Sequence, residues 1–216
     1  MPDFVSQRKS MVERQIIRRR IADQRVIEAL RKVPREEFVP EEMREFAYED
    51  SALPIEAGQT ISQPYIVARM AEAAEIQPGD RVLEIGTGSG YAAAVLAEIA
   101  WEVFTVERHS GLALSAQQRF RRLGYANIET RVGDGTEGWP DAAPFDAIVA
   151  TASGPSAPET LKRQLGPGGR LVMPVGEREE VQRLVLLRRA GENDFLEETL
   201  GEVRFVPLIG AHGWEE

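Results

Sequence analysis

A run of alternating glycines near the middle of the chain is the pattern best suited to ligand binding. Residues 82–91 read Val-Leu-Glu-Ile-Gly-Thr-Gly-Ser-Gly-Tyr, which places Gly86, Gly88 and Gly90 at every second position. Where an apolar strand turns into a helix through such glycines, backbone N–H groups can approach a nucleotide-like ligand closely. A dinucleotide site requires the spacing G-x-G-x-x-G, but here the third glycine comes one residue early. The turn is therefore predicted to bind a different ligand.

The acidic residue Glu84 lies within the strand that leads into this turn. A carboxylate at that position would repel phosphate and would match a positively charged group. These residues favour a ligand that carries a cation and no phosphate, and S-adenosylmethionine fits that description. A structural turn without a ligand and a phosphate-bearing cofactor are the less favoured alternatives.

Two further acids follow the next two apolar stretches. Glu107 ends the first of them, and Asp134 stands between Gly133 and Gly135 after the second. An acid at the end of a second strand is the usual partner of ribose hydroxyls, and Asp134 is free to accept from an adenine amine. Either acid alone is more often a solvated charge. Because the carboxyl ends of parallel strands share one edge of the sheet, three such acids together predict one ligand site.

The composition limits the class of protein. The chain has 216 residues, of which 43% are hydrophobic and 28% charged, and this fits one soluble globular domain. A net charge of −9 argues against nucleic acid as the main partner, because phosphate binding relies on an excess of Lys and Arg. Without a long apolar run or an apolar leader, we expect no membrane partner and a cytoplasmic location.

Metal and thiol chemistry are both disfavoured. The chain contains no cysteine and only two histidines, His109 and His212, neither of which is spaced with a second ligand. We therefore expect surface roles for both histidines and no metal site.

Strand and helix patterns alternate through the middle of the chain. Apolar stretches predict strands at 81–85, 102–106, 128–132, 147–151 and 170–174, and helical periodicity predicts helices at 91–100, 111–123 and 157–164. This alternation is typical of an α/β fold with a doubly wound, mostly parallel, Rossmann-like sheet. Two later strand-like stretches, 184–187 and 196–205, flank a polar turn and predict an antiparallel C-terminal hairpin.

The chain is predicted to form a single domain, 1–216, with three regions. N-terminal helices and a cap over the substrate are expected in 1–78, where Asp23 is a suitable cap for the second helix. The cofactor-binding core is expected in 79–180, and the hairpin with a substrate-side segment in 181–216.

A second polar motif precedes the core. Residues 59–64 read Gln-Thr-Ile-Ser-Gln-Pro and place four hydrogen-bonding side chains within five residues. Ser62 before Gln63-Pro64 also reads as the cap of a helix that follows, an interpretation of about equal weight. A helix N-terminus with hydroxyl groups attracts an anion. Above a cationic cofactor, this segment would place a carboxylate against an electrophilic methyl group.

At this point the chain resembles the protein-L-isoaspartate (D-aspartate) O-methyltransferase family over nearly its whole length. The segments 59–64 and Arg-Phe-Val-Pro-Leu at 204–208 are specific to the family, whereas the glycine turn is common to many methyltransferases. The other stretches that carry the resemblance are 33–39, 53–55, 82–91, 133–135 and 143–148. The resemblance implies a class I methyltransferase fold, S-adenosyl-L-methionine as methyl donor and isoaspartyl residues of damaged polypeptides as substrate.

The resemblance also implies roles for individual residues. Ser62, with Thr60 beside it, matches the catalytic position. The expected cofactor-binding residues are Glu84, Ile85, Gly86, Thr87, Gly88, Ser89, Gly90, Glu107, Arg108, Asp134, Gly135 and Thr151. The expected substrate-binding residues are Gln59, Ile61, Gln63, Pro64, Val206, Pro207 and Leu208. We expect a monomer.

The absence of a base near the motif fits this interpretation. A carboxylate is already ionised at neutral pH, so its methylation needs no general base, and the motif region offers no His–Asp or Lys dyad. A small-molecule or RNA methyltransferase is the nearest alternative, and a binding module without activity is a more distant one.

The chain departs from the family pattern at two places. Ser153-Gly154 stands where the family usually has alanine, and the glycine is expected to loosen that loop. Glu56-Ala57 before Gly58 differs from many relatives and could alter the peptide preference.

Overall fold

A large sheet and a separate small hairpin organise the chain. The computed structural model describes residues 3–178 and 180–215. The strands are β1 Leu53–Pro54, β2 Thr60–Ile61, β3 Arg81–Ile85, β4 Glu102–Glu107, β5 Ile128–Val132, β6 Phe145–Ala150, β7 Leu165–Val175, β8 Gln182–Arg189 and β9 Phe195–Val203. The α-helices are α1 Phe4–Met11, α2 Gln24–Lys32, α3 Pro64–Ala73, α4 Tyr91–Ala97, α5 Ser110–Leu123 and α6 Glu159–Arg163. In the part of the chain that the structure describes, no helix has both the length and the apolarity to cross a bilayer.

The large sheet has the strand order β5-β4-β3-β6-β7-β8-β9. The strands from β3 to β7 pair in parallel, and β8 and β9 add an antiparallel edge. The chain winds from β3 outward to β5 and then returns to the other side of β3 as β6. The doubly wound sheet and the antiparallel hairpin are thus confirmed. Winding reverses between β3 and β6, and in open α/β sheets ligands bind beyond the carboxyl ends of those two strands.

Most predicted elements are present, with shifted ends. β3 and β5 have the predicted bounds. β7 starts at Leu165 rather than 170, because Leu165 already pairs with Phe145. The register then shifts before Arg170 pairs with Ala147, and Gly168 within this irregular stretch has a left-handed φ of 71°. The predicted helix at 91–100 ends earlier, at Ala97.

Apolar side chains fill both faces of the large sheet. On one face α2, α3, α4 and α5 bury residues such as Ile27, Val67 and Val95, and on the other face α6 buries Leu161. Asp23 accepts a hydrogen bond of 2.9 Å from the N–H of Arg25, so it caps α2 as predicted. The outer strand β9 is exposed along most of its length and carries Glu197, Glu198 and Glu202 among its exposed residues.

A buried arginine joins the N-terminal region to the start of α4. Arg35 is completely buried, and its Nε donates a 2.7 Å hydrogen bond to the carbonyl of Ala47. Its guanidinium carbon lies 4.6 Å from the centre of the Tyr91 ring, and Phe38 meets the same ring edge-on at 5.7 Å. Burial lowers the pKa of Arg35. Since Tyr91 follows Gly90 directly, this contact connects the stretch 33–39 to the glycine turn.

Replacing Arg35 should therefore destabilise the fold. The substitution Arg35→Ala leaves a cavity under the Tyr91 ring and an unpaired carbonyl at Ala47, and we expect a loss of about 2 to 4 kcal/mol in the free energy of unfolding. Urea denaturation measures it. The control Arg18→Ala, at an exposed position, should change stability by less than about 0.5 kcal/mol. Equal free energies of unfolding for the two variants would show that Arg35 does not stabilise the fold.

Candidate active site

The glycine turn adopts a backbone that other residues rarely tolerate. Gly86, Gly88 and Gly90 have φ values of 92°, 51° and 88°. Space is also short, because a Cβ on Gly86 would lie 2.6 Å from the Thr151 hydroxyl oxygen and one on Gly90 would lie 2.6 Å from the Phe120 ring. The alternation of glycines thus follows from left-handed backbone at each position and from close packing at two of them.

Glu107 holds the turn from the neighbouring strand. One carboxylate oxygen accepts a 2.8 Å hydrogen bond from the N–H of Gly88, and the other accepts a 2.9 Å bond from the N–H of His109. The residue is buried, with 5% of its surface exposed, yet it lines the cavity beyond the carboxyl ends of β3, β4 and β6, which we call the main cavity because it contains most of the predicted site residues. A carboxylate can accept about four hydrogen bonds, so this fixed group retains acceptor positions for ligand hydroxyls.

Thr151 holds the turn from the other side, at the end of β6. Its hydroxyl lies 2.7 Å from the carbonyl oxygen of Gly86 and 3.1 Å from that of Ile85. Its N–H also donates to Ile85 at 2.8 Å. Thr151 therefore joins the carboxyl ends of β3 and β6, the two strands at which the winding reverses.

Glu84 lies beneath the turn and not in the cavity. It is completely buried and lines none of the four cavities around the turn described below. The hydroxyl of Thr105 donates to its carboxylate at 2.6 Å, and the Thr87 hydroxyl lies 2.6 Å from that of Thr105. The expectation that this carboxylate faces a cationic ligand group is corrected, because all positions of a strand covered on both faces point into the core.

Burial changes the acidity of Glu84 strongly. Removal from water raises the pKa of its carboxyl to about 8, the Thr105 hydrogen bond opposes this shift, and the nearby Glu107 charge adds to it. A neutral carboxyl in this position supports Thr87 through the two hydroxyl groups.

The main cavity has a volume of about 460 Å³ and opens beyond the carboxyl ends of β3, β4 and β6. Many of the predicted site residues line it together, although they come from distant parts of the chain. They are Gln59, Thr60, Ile85, Gly86, Gly88, Glu107, Arg108, Gly135, Thr151, Val206, Pro207 and Leu208.

Ser62 lies next to this cavity rather than on it. It lines a small cavity with Thr87, Ser89 and Ile61, and a groove of about 280 Å³ with Asp50, Gln63 and Arg204. Thr60 lines the main cavity, the small cavity and the groove. The segment 60–62 thus separates the main cavity from the groove.

The helix cap predicted at Ser62 is wrong. α3 begins at Pro64 and its cap residue is Gln63, which makes no side-chain cap bond. The Gln63 amide donates instead to Asp50, at 2.7 Å to the carboxylate and 3.0 Å to the carbonyl. The fixed φ of proline sets the first helical position, so the cap falls one residue after the serine. The Ser62 side chain is therefore not used as a cap.

Asp134 lies behind the wall of the main cavity and lines an adjacent one of about 350 Å³. Its carboxylate accepts hydrogen bonds of 2.8 Å and 2.7 Å from the N–H and hydroxyl of Thr136, and one of 2.8 Å from the N–H of Ala211. Burial raises the pKa of Asp134, but these hydrogen bonds outweigh it, so the pKa is lowered and the group is charged.

The loop at Ser153-Gly154 is pinned, contrary to the expectation of looseness. The N–H of Ser153 donates to Val206 at 2.8 Å, and the N–H of Leu208 donates to Ser153 at 2.8 Å. A Cβ on Gly154 would lie 2.8 Å from the end of the Met173 side chain and 3.0 Å from the Ser156 carbonyl. The glycine permits close packing, and the loop fixes the segment 206–208.

Five cavity-lining residues were not found by sequence reasoning. They are Val106, His109, Ala152, Arg178 and Ile209. His109, for which a surface role was expected, is half-buried and its N–H is bound by Glu107. Its position two residues after the strand-end acid is the signal that could have shown this.

The reversal of winding, the glycine turn and the fixed acid Glu107 fit a Rossmann-like methyltransferase that uses S-adenosylmethionine. A family model for protein-L-isoaspartate (D-aspartate) O-methyltransferase matches residues 6–213. The chain belongs to this family.

Individual relatives agree with this assignment. A protein-L-isoaspartate O-methyltransferase of Rhodopseudomonas palustris is 60% identical over 95% of this chain and 94% of its own length. A solved protein-L-isoaspartate O-methyltransferase superposes with a TM-score of 0.85 at 30% identity, over 95% of this chain and 67% of that one. A Plasmodium falciparum β-aspartate methyltransferase in complex with S-adenosyl-L-homocysteine gives a TM-score of 0.80 at 26% identity, over 94% of this chain and 98% of that one.

The activity follows from the family. The chain is a carboxyl methyltransferase that transfers a methyl group from S-adenosylmethionine to isoaspartyl residues and so starts their repair. The residues that line the main cavity fit the cofactor, because they combine a close backbone approach at the glycines with a fixed acceptor at Glu107.

The buried carboxyl of Glu84 predicts a pH-dependent stability. Since its folded-state pKa of about 8 lies above the ordinary value of 4.5, the folded state binds the proton more tightly. This stabilisation is fully present below pH 4.5 and is lost as the pH rises through 8. Between about pH 5 and about pH 9, the free energy of unfolding should fall by at least about 1 kcal/mol more than in Glu84→Gln, which does not titrate. Urea denaturation of both proteins across this range measures the difference, and parallel pH profiles would contradict the assignment.

Proposed function

We propose that Ser62, with Thr60 beside it, orients the free carboxylate of an L-isoaspartyl residue for methylation. The observation that carries this proposal is the position of the segment 60–62 between the cofactor cavity and the groove lined by Asp50, Gln63 and Arg204. Ser62 faces the groove and the small cavity, while Thr60 also borders the main cavity. A substrate held by this segment lies next to the cofactor without entering its cavity.

The surroundings of Ser62 suit a substrate whose own carboxylate oxygen is the nucleophile and needs no activation by a base. The described residues that line the small cavity and the groove include no histidine and no lysine. A substrate carboxylate has a reference pKa near 4 and is already an anion at neutral pH. S-adenosylmethionine, when bound, supplies an electrophilic methyl group. The protein's own part is then to orient the carboxylate by hydroxyl hydrogen bonds and to exclude water.

The product explains how methylation leads to repair. A methyl ester has a better leaving group than the free acid, so the neighbouring amide nitrogen displaces methanol and forms a succinimide. Hydrolysis of the succinimide yields in part a normal aspartyl linkage. We propose that the residues 206–208, held against Ser153, flank the substrate backbone during the methylation step.

The cofactor roles are proposed from the geometry of the main cavity. Glu107 accepts from the ribose hydroxyls, since both its oxygens are fixed by backbone N–H groups and still have free acceptor positions. Asp134 is assigned to the adenine amine, because its three hydrogen bonds leave one acceptor position. Glu84 acts on the cofactor indirectly, by supporting Thr87.

A cytoplasmic monomer that does not bind nucleic acid remains the prediction from the sequence. The net charge of −9 supports the last point.

Replacement of Ser62 tests the proposed catalytic role. Wild type and Ser62→Ala receive labelled S-adenosylmethionine and two peptides that differ only in one isoaspartyl or aspartyl linkage. We expect base-labile label on the isoaspartyl peptide alone, and a fall in kcat of about 10- to 100-fold in Ser62→Ala with an unchanged affinity for S-adenosylhomocysteine.

The matched control is Ser115→Ala, on a helix and away from the cavities, which should behave as wild type. A Ser62→Ala enzyme that loses cofactor affinity but turns over normally at saturating cofactor would refute the catalytic role.

Replacement of Glu107 tests the cofactor role. In Glu107→Gln an NH₂ group must face the N–H of Gly88 or of His109, so the fixed orientation is lost. We expect the Kd for S-adenosylhomocysteine, from calorimetry, to rise about 10- to 100-fold. Glu102→Gln, at the other end of β4, serves as the control and should leave the Kd unchanged. A Kd that is the same in both variants would remove Glu107 from the cofactor site.

A further inference from the structure

The C-terminal residues wrap around the turn that follows β5. We define the C-terminal loop as residues 208–214. It is closed on itself, because the N–H of Trp214 donates to the Leu208 carbonyl at 2.8 Å and the N–H of Gly210 donates to Trp214 at 3.2 Å. Ala211 and His212, at its tip, are exposed. Apolar burial therefore does not hold the tip in place.

Hydrogen bonds to the turn that follows β5 hold the tip of the C-terminal loop in place. Asp134 accepts from the N–H of Ala211 at 2.8 Å, and the Thr136 hydroxyl accepts from the N–H of His212 at 3.1 Å while it donates to Asp134. The His212 ring also lies 2.9 Å from the Glu137 carboxylate. A hydrogen bond to a charged carboxylate is stronger than one between neutral groups, so the bond to Asp134 contributes most to holding the tip in place.

Both sides of this contact form the wall of the cofactor cavity. Gly135, the residue after Asp134, lines the cavity, and so do Leu208 and Ile209 at the start of the loop. A Cβ on Gly135 would lie 3.5 Å from a Leu208 methyl carbon, an ordinary van der Waals distance, so the two residues are neighbours in this wall. A displacement of the turn at Gly135 therefore also displaces the start of the loop.

We propose that Asp134 is a positioning residue that fastens the C-terminal loop and thereby couples cofactor binding to peptide binding. Asp134 already holds the loop through Ala211. A cofactor in the cavity beside Gly135 restrains Asp134 further, and the loop in turn positions the residues 206–208 that precede it. The peptide side of this coupling rests on the proposed function. By linkage, the cofactor raises peptide affinity by the same factor by which the peptide raises cofactor affinity.

Gly210 allows the contact to be broken without replacing a proposed site residue. A Cβ at this position would lie 2.0 Å from one Asp134 oxygen and 2.5 Å from its carboxyl carbon. The Gly210 backbone is not left-handed, so Gly210→Ala acts through this clash and not through backbone strain. The control is Gly79→Ala, in the turn before β3, where a Cβ meets nothing within 4 Å.

The first readout is amide hydrogen exchange of residues 210–213, measured without cofactor. We expect exchange at Ala211 and His212 to be at least about tenfold faster in Gly210→Ala than in wild type, and unchanged in Gly79→Ala. Asp134→Asn provides a second route, because its single oxygen is favoured where it accepts both Thr136 hydrogen bonds, and its NH₂ group then faces the N–H of Ala211. It should show the same faster exchange, and it keeps the proposal testable if Gly210→Ala does not fold.

The second readout is the coupling itself. The Kd of S-adenosylhomocysteine is measured by calorimetry with and without saturating isoaspartyl peptide. We expect the peptide to lower this Kd by about fivefold or more in wild type and Gly79→Ala, and by less than about twofold in Gly210→Ala. The KM for the peptide should rise in Gly210→Ala while kcat at saturating peptide stays close to wild type.

Two outcomes would overturn the proposal. One is unchanged exchange at Ala211 and His212 in both variants, and the other is equal coupling in wild type and Gly210→Ala. A wild-type protein that methylates no isoaspartyl peptide would refute the proposed function instead, and hydrogen exchange would still decide whether Asp134 fastens the loop.

Discussion

The turn between β3 and α4 must hold a left-handed backbone at three glycines, which have no side chains to fix it. Its neighbours supply the fixation. Glu107 binds an N–H of the turn, Thr151 binds a carbonyl, and Arg119 donates to the carbonyl of Ser89 at 2.6 Å. The Arg35 guanidinium packs against the ring of Tyr91, the residue that follows the last glycine. These side chains come from four separate stretches of sequence, so the turn has its shape only when the sheet, α5 and the N-terminal region are assembled around it.

This dependence explains which features can be predicted from the sequence. β3, β5 and the glycine turn are local patterns, in which apolar runs and backbone-permissive residues carry the information. The sequence does not show toward which face Glu84 points, because a strand covered on both sides has no alternation to read. It also does not show whether Ser62 caps α3, since serine before Gln63-Pro64 suits a cap and an active site equally well until the helix start is known.

The departures from the family pattern show how tertiary packing decides the meaning of a residue. A glycine at position 154 suggests freedom in isolation, but here its missing side chain admits Met173 and the Ser156 carbonyl. The loop is consequently pinned, and Ser153 fixes the segment 206–208 by two backbone hydrogen bonds.

The charge of the site also differs from the charge of the whole protein. The protein is acidic as a whole, yet the residues proposed to meet an anionic substrate are neutral hydroxyls.

The acidic edge strand β9 matters for an enzyme whose substrates are damaged polypeptides. Such substrates are partly unfolded and expose segments able to add to an open sheet edge, with the risk of joint aggregation. Glu198 and Glu202, beside the Glu197–Arg183 ion pair, give the exposed edge charged groups that raise the cost of desolvating it against another strand. The enzyme can therefore work among aggregation-prone chains while its own sheet does not serve as a template for them.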